Sequence, residues 1–386
     1  MSITTVDERR VLAQAVRSLL ARKSSEADVR TAMSSELGYE PGLWKAMAAE
    51  LGIQGMAVPE EFGGAGAGWL ELGVVFEETG RALSCSPLLG TVAFGLSVLL
   101  EARDRNANDR WLGRIVSGDA MLTAALAGSA QDAGETALTA SESGTGWVVD
   151  GTISYLLDGA TAEACFVLAN TGGGQSMFEI DLRGPHVCAE PVAMLDTTRR
   201  LAHVEFHDAP AILVGVKDTG RAVMLAARRR AAALLACEAT GGAAAALDMA
   251  VEHAKTRVQF GQPIGVFQAV QHRCADMLVA LESARSASWA FVCAIDSDDD
   301  DIELVAAATV KVCSQSYVAC ASGNVQVHGG VGFTFEHPAH LHVKRSRGSA
   351  VLFGSPHEHR AALNGLIPLF SVRQSRTDAV LERNGQ

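Results

Sequence analysis

One segment of this 386-residue chain places a phosphate-binding residue type at the end of an apolar helical stretch. A long alanine-rich run ends at Arg257 and continues through Gln259 and Phe260 into Gly-Gln-Pro. A guanidinium group binds phosphate oxygens through two parallel hydrogen bonds, so Arg257 has the chemistry to hold a phosphate. Alone, it would more simply be an ordinary surface charge.

A second segment reads Gln-Val-His-Gly-Gly-Val-Gly-Phe and begins at Gln326. Its glycine pair, Gly329 and Gly330, follows another apolar helical stretch. Glycine lets the backbone approach a ligand closely and adopt positive φ at a helix end. Alone, the pair predicts a plain helix C-cap. Together with the Arg257 segment and the order of elements along the chain, the combination is far more specific.

Signatures of several other enzyme classes are missing from the sequence. No Gly-x-Gly-x-x-Gly follows a strand pattern, and there is no P-loop, no Gly-x-Ser-x-Gly and no His-x-x-x-His on a helical face. The missing glycine pattern argues against a nicotinamide-binding Rossmann enzyme. The run Asp296–Asp301 lacks the ligand spacing and the glycine of a calcium loop, so it predicts a solvated turn between helices.

The pattern of apolar residues changes twice along the chain. Apolar residues recur at helical spacing up to residue 118, and again from residue 216, where Ala222–Thr256 predicts a long helix. Between these regions, short runs rich in β-branched and aromatic residues alternate with Gly, Asp and Asn, which predicts a small antiparallel β-domain. We therefore predict an α+β protein with domains over residues 1–118, 119–215 and 216–386.

Composition narrows the classes of function. The net charge of -12 and the lack of a Lys/Arg-rich run argue against nucleic-acid binding. Eight cysteines without any Cys-x-x-Cys pair predict buried reduced thiols in a cytoplasmic protein, with no metal site. The polar start of the chain predicts no signal peptide. Five charged residues interrupt Ala222–Val251, from which we predict no membrane span.

Short motifs in the first third complete a pattern that resembles the acyl-CoA dehydrogenase family. They are Leu43-Trp44, the Val-Pro-Glu-Glu-Phe-Gly-Gly run from Val58 and the Glu-Glu-Thr-Gly run from Glu77. The resemblance covers nearly the whole chain. It implies an N-terminal helical domain, a central β-domain and a C-terminal four-helix bundle at the core of a tetramer. It also implies FAD-dependent desaturation of an acyl-CoA thioester between its α and β carbons.

The resemblance carries cofactor roles over to this sequence. Six residues are expected to bind the adenine-diphosphate end of FAD: Arg257, Gln259, Phe260, Gln326, Gly329 and Gly330. Arg257 would face the pyrophosphate of the FAD held by a neighbouring subunit. The β-domain departs from the family at the flavin ring. Ala124–Gly134 replaces the usual Glu-Pro-x-Ala-Gly-Ser-Asp and keeps only fragments such as Ala127-Gly-Ser, and Tyr155–Ala160 replaces the usual Trp-x-Thr-Asn.

The catalytic base of the family is the largest departure. In most members a glutamate lies 23 residues beyond the second glycine of the pair, where this chain has Phe353. Other members carry the base 26 residues before the arginine, where this chain has Ala231. The remaining candidate is Glu238, about 10 Å further along the same helix. Glu238 is therefore the residue of this chain that we consider as a catalytic base.

The missing base leaves three readings open. This chain most resembles the base-lacking chain of bacterial steroid-side-chain acyl-CoA dehydrogenases, which are α2β2 heterotetramers. A homotetramer that acts without a partner chain is the less favoured form of the same hypothesis. The alternatives are a catalytically silent structural subunit and a flavin-dependent monooxygenase or oxidase of the same fold. The expected partners are an acyl-CoA substrate and an electron-transfer flavoprotein as electron acceptor.

Overall fold

The computed structural model describes residues 5–125, 137–144, 146–297 and 299–367. The N-terminal part consists of helices. The π-helical segment Leu89–Gly95 runs directly into the fifth of them. The six helices are α1 (Val6–Lys23), α2 (Glu26–Ser34), α3 (Pro41–Leu51), α4 (Trp69–Arg81), α5 (Leu96–Ala102) and α6 (Arg105–Val116). Capping boxes start α1 and α2, in which a Thr or Ser hydroxyl accepts from the third helical amide.

A seven-stranded sheet follows the helices. Its order is β1-β4-β2-β3-β7-β5, with β6 paired to β7 and β5 also paired to β4. The strands are β1 (Leu122–Ala124), β2 (Thr139–Ser143), β3 (Gly146–Leu157), β4 (Ala164–Asn170), β5 (Gln175–Asp181), β6 (Val187–Pro191) and β7 (Leu201–Val214). The purely antiparallel prediction needs a correction, because β4 is parallel to β1 and, at one residue pair, to β2. Residues 126–136, between β1 and β2 in the sequence, lie outside the described part.

The C-terminal part is the predicted helical bundle. Its helices are α7 (Gly220–Thr256), α8 (Gln268–Ser297), α9 (Ile302–His328), α10 (Ala339–Leu352) and α11 (Pro356–Leu366). Helices α7, α8 and α9 pack on one another, and α10 and α11 pack on α9. The predicted order of helical, β-rich and helical parts is confirmed.

Helix α4 of the N-terminal part crosses α7 at two glycines. A Cβ on Gly80 would lie 2.0 Å from the backbone oxygen of Glu238, and a Cβ on Gly241 would lie 1.7 Å from that of Glu77. Backbone atoms cannot move aside as a flexible side chain can. The crossing therefore requires glycine on both helices, and it fixes the position of the N-terminal helices on the bundle.

The apolar composition of the bundle corrects one sequence argument. By length and composition alone, α7, α8 and the stretch Ile302–Phe333 could each cross a membrane. The charged residues of α7 do not exclude a membrane-spanning length. Three of them, Arg228–Arg230, lie near the N-terminal end of the helix, and a long alanine-rich run follows them. In the fold, 78% of that apolar window of α7 is buried inside the protein.

Asp296 also differs from its prediction as part of a solvated turn. It lies in the last turn of α8, and its two carboxylate oxygens accept hydrogen bonds from the backbone amides of Trp69 and Leu70 at 3.0 and 3.1 Å. These amides begin α4, where they have no acceptor within the helix. Asp296 therefore supplies an N-terminal cap from another helix. The polar stretch from Ser375 lies outside the described residues.

Candidate functional site

Phe353, the predicted counterpart of the family's glutamate, follows the last turn of α10. Its side chain is 2% exposed and packs edge to face on Phe94 of the π-helical segment, with the ring centroids 5.7 Å apart. Its backbone oxygen accepts a hydrogen bond of 3.0 Å from Nη2 of Arg228. The other base position, Ala231, is fully buried. Neither side chain can accept a proton.

A small cavity adjoins Phe353 between α7, α9 and α10. It encloses about 20 Å³, which is room for about one water molecule and too little for an acyl chain. Its lining is mostly apolar, with hydroxyl groups from Ser314, Tyr317, Ser346 and Ser349. The phenylalanine therefore fills the space around the usual base position and leaves no acyl-sized cavity there.

Glu238 lies in the middle of α7 with 6% of its surface exposed. Both of its carboxylate oxygens accept hydrogen bonds from Nη2 of Arg199, at 2.7 and 2.9 Å. Nε of Arg345 lies 3.2 Å from Oε1 of the same carboxylate. If Glu238 took up a proton, Arg199 would lose its hydrogen-bonded counter-ion and Arg345 would lose the nearer of its two carboxylates. The contacts therefore favour an ion-paired structural carboxylate.

Arg345 extends this ion pair into a buried network. Its guanidinium donates to the backbone oxygens of Thr198 at 3.3 Å and Ser84 at 3.0 Å, and lies 3.9 Å from Asp196. Burial alone would lower the pKa of Arg345, but the charges of Glu238 and Asp196 raise it above its usual range. The network joins the segment before β7 to α7, to α10 and to the residues that follow α4.

Asp158 is a second carboxylate near this region, in the turn directly after β3. Its backbone is left-handed, with φ of 53°, and its Oδ2 lies 2.5 Å from the point where a Cβ on Gly90 would be. Burial raises the pKa of Asp158 to about 7, although Arg199 and Arg345 lower it. No described residue donates a hydrogen bond to its carboxylate. The nearby Thr123 hydroxyl is buried and also without a partner among the described residues.

The Arg257 segment forms a small exposed hairpin beyond α7. Strand β8 (Val258–Gln259) pairs with β9 (Gln262–Pro263) around a turn made by Phe260 and Gly261. Both turn residues have positive φ, 53° and 76°, as a type I′ turn requires. Phenylalanine is poorly suited to that backbone, and its side chain is 90% exposed. The side chains of Arg257 and Gln259 are exposed as well.

The second predicted cofactor segment ends α9. Gln326 is exposed on the last turn, and Gly329 follows the helix with φ of 64°. A Cβ added to Gly329 or Gly330 would meet no other atom within 4 Å. The space in front of both glycines is therefore open to a ligand.

Two stacked histidines bring these segments together. The rings of His253 and His328 have centroids 4.1 Å apart and planes inclined by 29°. His253 lies one helical turn before Arg257, and its backbone oxygen accepts a hydrogen bond of 2.8 Å from the backbone amide of Arg257. His328 directly precedes Gly329. The ends of α7 and α9 that carry the six predicted residues therefore lie side by side.

These residues fit the diphosphate end of FAD. The site offers an exposed guanidinium from Arg257, exposed amides from Gln259 and Gln326, and open backbone at the glycines. The flavin-ring end is different. Over 155–160 the only polar side chains are Tyr155, which is 60% exposed, and Asp158. The fragment Ala127-Gly-Ser lies outside the described residues.

Sequence reasoning missed the residues that surround Glu238. Arg199 lies 39 residues before its partner in the chain, so no local spacing could reveal the pair. The one local signal was a glutamate and an arginine in small-residue helical stretches, at Glu238 and Arg345. Buried charges in such surroundings require a counter-ion. The histidine stack was missed for the same reason, because its rings come from separate elements.

Comparisons with known proteins agree with this geometry. The N-terminal domain model of acyl-CoA dehydrogenase matches residues 6–119, and the C-terminal domain model matches residues 218–363. The chain is 35% identical over 360 residues to acyl-CoA dehydrogenase IpdE2 of Mycobacterium tuberculosis, and the match covers 92% of this chain and 96% of that protein.

Two solved structures superimpose on the chain with a TM-score of 0.84 and 27% identity. The match to the ChsE4-ChsE5 complex from Mycobacterium tuberculosis covers 94% of this chain and 97% of its counterpart. The match to a variant of the Tcur3481-Tcur3483 steroid ACAD covers 93% and 97%. By its matched domains and its identity to these relatives, the chain belongs to the acyl-CoA dehydrogenase family, whose members are FAD-dependent oxidoreductases.

Proposed function

We propose that this chain is the base-lacking subunit of a heterotetrameric acyl-CoA dehydrogenase whose partner subunit supplies the catalytic glutamate. FAD, when bound, accepts the hydride that leaves the β carbon of the thioester. A carboxylate must take the α proton in the same step, in a dry site where desolvation makes it basic enough. The observation that carries the proposal is the buried Phe353 at the position of that carboxylate.

The surroundings of Glu238 support the same proposal. A base must have a free oxygen directed at the substrate carbon, and both oxygens of Glu238 are bound to Arg199. Glu238 thus acts as a positioning residue that fixes the segment before β7 against α7. In this assignment the chain has no base of its own at either family position.

The length of α7 supports cofactor sharing between subunits. Arg228, which contacts Phe353, and Arg257 are 29 residues apart, which is about 44 Å along a continuous helix. In FAD about eight covalent bonds separate the flavin ring from the diphosphate, a span of at most about 12 Å. Arg257 therefore lies too far from its own ring-end site. It serves an FAD whose ring is held by another subunit.

Exposed apolar side chains support a partner at this end of the molecule. Phe260 and Val258 on the hairpin are 90% and 53% exposed, and Phe333 and Phe335 beyond α9 are 82% and 73% exposed. Monomeric proteins rarely expose groups of large apolar side chains of this kind. They are suited to burial against a neighbouring subunit that also holds the flavin.

The proposed substrate is the CoA thioester of a bulky, steroid-type acyl chain, and the proposed electron acceptor is an electron-transfer flavoprotein. The substrate class rests on the two complexes that match this chain at 27% identity over more than nine tenths of its length. One of them is a steroid ACAD. Each of them pairs two differently named chains, and a pair of different chains is the form proposed here.

The visible spectrum tests the proposal directly. We expect the chain purified alone to show no flavin bleaching with any acyl-CoA thioester, and bleaching to require a co-expressed partner that carries the glutamate. A yellow chain that one thioester bleaches without a partner would refute the partner-supplied base. Glu238→Gln would then show whether Glu238 is that base.

Cofactor contact is tested separately in the assembled protein. Arg257→Ala is expected to lower FAD affinity at least about tenfold, because a charged bidentate contact to the diphosphate is lost. Arg347→Ala is the matched control, since Arg347 is an exposed arginine on α10. Equal FAD content in both variants would contradict the assignment of Arg257.

A further inference from the structure

Three histidine rings form one continuous stack at the proposed diphosphate site. His328 is the middle ring, with its centroid 4.1 Å from that of His253 and 4.3 Å from that of His337. His253 comes from the last turn of α7, His328 from the end of α9 and His337 from the segment before α10. The stack lies beside Arg257 and directly before the glycine pair.

The hydrogen bonds of two rings fix where a proton can be added. Nδ1 of His328 lies 2.9 Å from the backbone oxygen of Asn324 and donates to it, which leaves Nε2 as the free nitrogen. Nδ1 of His337 accepts from the backbone amide of Ala339 at 3.2 Å, so its hydrogen is on Nε2. The bond to Nδ1 of His337 requires an unprotonated nitrogen and therefore a neutral ring. Protonation of two neighbouring rings would place like charges in contact within the stack.

The groups around the stack also favour the neutral form in the absence of a ligand. Burial lowers the pKa of His253, and so do the charges of His328, His337 and Arg257. Burial likewise lowers the pKa of His337; His328, His340 and Arg30 lower it further, and Glu26 of α2 raises it. Glu252 and Lys255 on the last turns of α7 are paired with each other. Among these described groups, cations outnumber carboxylates.

We propose that the histidine stack binds the FAD diphosphate together with Arg257, and that cofactor binding is coupled to protonation of the stack. This inference rests on the proposed function only in placing FAD at Arg257 and the glycine pair. A diphosphate is an anion, and its negative charge would offset the excess of cations around the stack. The outer imidazole of His253 then takes up a proton and donates a hydrogen bond to a phosphate oxygen.

The direction of the pH effect follows from linkage. A bound anion raises the pKa of each nearby histidine, so the complex holds more protons than the free protein. FAD affinity therefore rises as the pH falls through the histidine range. A difference of about one pKa unit at one histidine corresponds to about a tenfold change in affinity. We expect affinity about tenfold higher at about pH 5.5 than at about pH 8.

The test measures binding, with no turnover involved. FAD is titrated into the full-length protein, stripped of flavin and in its purified assembly, and the quenching of flavin fluorescence is followed between about pH 5.5 and 8. In the double variant His253→Phe and His337→Phe the two outer rings can still stack on His328 but can no longer take up a proton. His207→Gln is the matched control, because His207 is an exposed histidine on β7. The melting temperature reports whether each variant folds.

The expected result is about a tenfold rise in affinity at low pH for the wild-type protein and the His207 control, and a clearly smaller rise for the double variant, whose two outer rings cannot take up a proton. Equal slopes for the wild type and the double variant would overturn the inference and leave the cofactor assignment intact. No FAD binding at any pH would overturn both. If the double variant does not fold, calorimetry of the wild type in two buffers of different ionisation enthalpy decides: no proton uptake near the ordinary histidine pKa of about 6.5 overturns the inference.

Discussion

Replacing Asp158 by asparagine should stabilise the protein at alkaline pH and have little effect in acid. Burial raises the pKa of Asp158 from 3.8 to about 7, so the folded state binds this proton more tightly than the unfolded state. Between about pH 4 and pH 7 the unfolded chain loses this proton while the folded protein keeps it, so unfolding becomes easier as the pH rises. The amide that replaces it would carry no charge, and asparagine tolerates the left-handed backbone at this position.

The magnitude follows from the pKa difference. Each pKa unit is worth about 1.4 kcal/mol, so the full difference corresponds to about 4 kcal/mol above pH 7. The surface of Asp158 is only partly buried, and solvent screens part of its charge, which reduces the expected gain to about 2 kcal/mol. The gain should disappear near pH 4, where the carboxyl is protonated in the folded protein.

The assay is urea unfolding of the wild type and variant at several pH values between about 4 and 8. Asp208→Asn is a matched control, because Asp208 also has a left-handed backbone, with φ of 50°, and is exposed. The control should change the unfolding free energy by less than about 0.5 kcal/mol at every pH. If Asp158→Asn gives the same profile as Asp208→Asn, the carboxyl of Asp158 is not perturbed by burial and the reasoning fails.

Three further substitutions probe other contacts. Glu238→Gln should lower the unfolding free energy by about 3–5 kcal/mol, because it leaves the buried Arg199 without its ion-pair partner. Glu282→Gln, in an exposed pair, should cost less than about 1 kcal/mol, and similar losses in the two variants would contradict the buried network. Phe260→Asn should stabilise the isolated subunit by about 1 kcal/mol, because asparagine adopts the left-handed backbone with less strain. The same variant should weaken subunit assembly in sedimentation experiments. Unchanged assembly would show that the hairpin is not part of the interface. Gly241→Ala should lower the melting temperature sharply through its clash with α4, while Gly113→Ala, where a Cβ meets nothing, should raise it slightly. Tolerance of Gly241→Ala would show that the helices can separate.

The helical elements were largely predictable from the sequence because their signals are local. The pattern that predicted a long helix over Ala222–Thr256 matches α7, which spans Gly220–Thr256. The parallel neighbour of β4 was not predictable, because sheet order depends on long-range pairing that strand patterns do not record. The same limit explains Asp296, whose role as a cap depends on a helix more than two hundred residues away.

For the candidate site, the sequence located the cofactor segments and the substitution at Phe353, since both are motif positions at fixed spacing. Those assignments remain predictions until flavin binding is measured. The same motifs gave no indication that Glu238 is held by Arg199, or that Asp158 is packed against Gly90. Each contact depends on side chains from separate elements, and only the folded chain brings them together.

The glycine crossing of α4 and α7 lies near the middle of α7, and this placement has a mechanical consequence. Gly241 is 13 residues beyond Arg228 and 16 residues before Arg257, or about 20 and 24 Å along the helix. The crossing can serve as a pivot, because the backbones of the two helices touch there. A tilt of about 5° around it would move each end of α7 by about 2 Å, in opposite directions. A displacement beside Phe353 would thereby be transmitted to the histidine stack, with α7 acting as a lever between the two ends of the bundle.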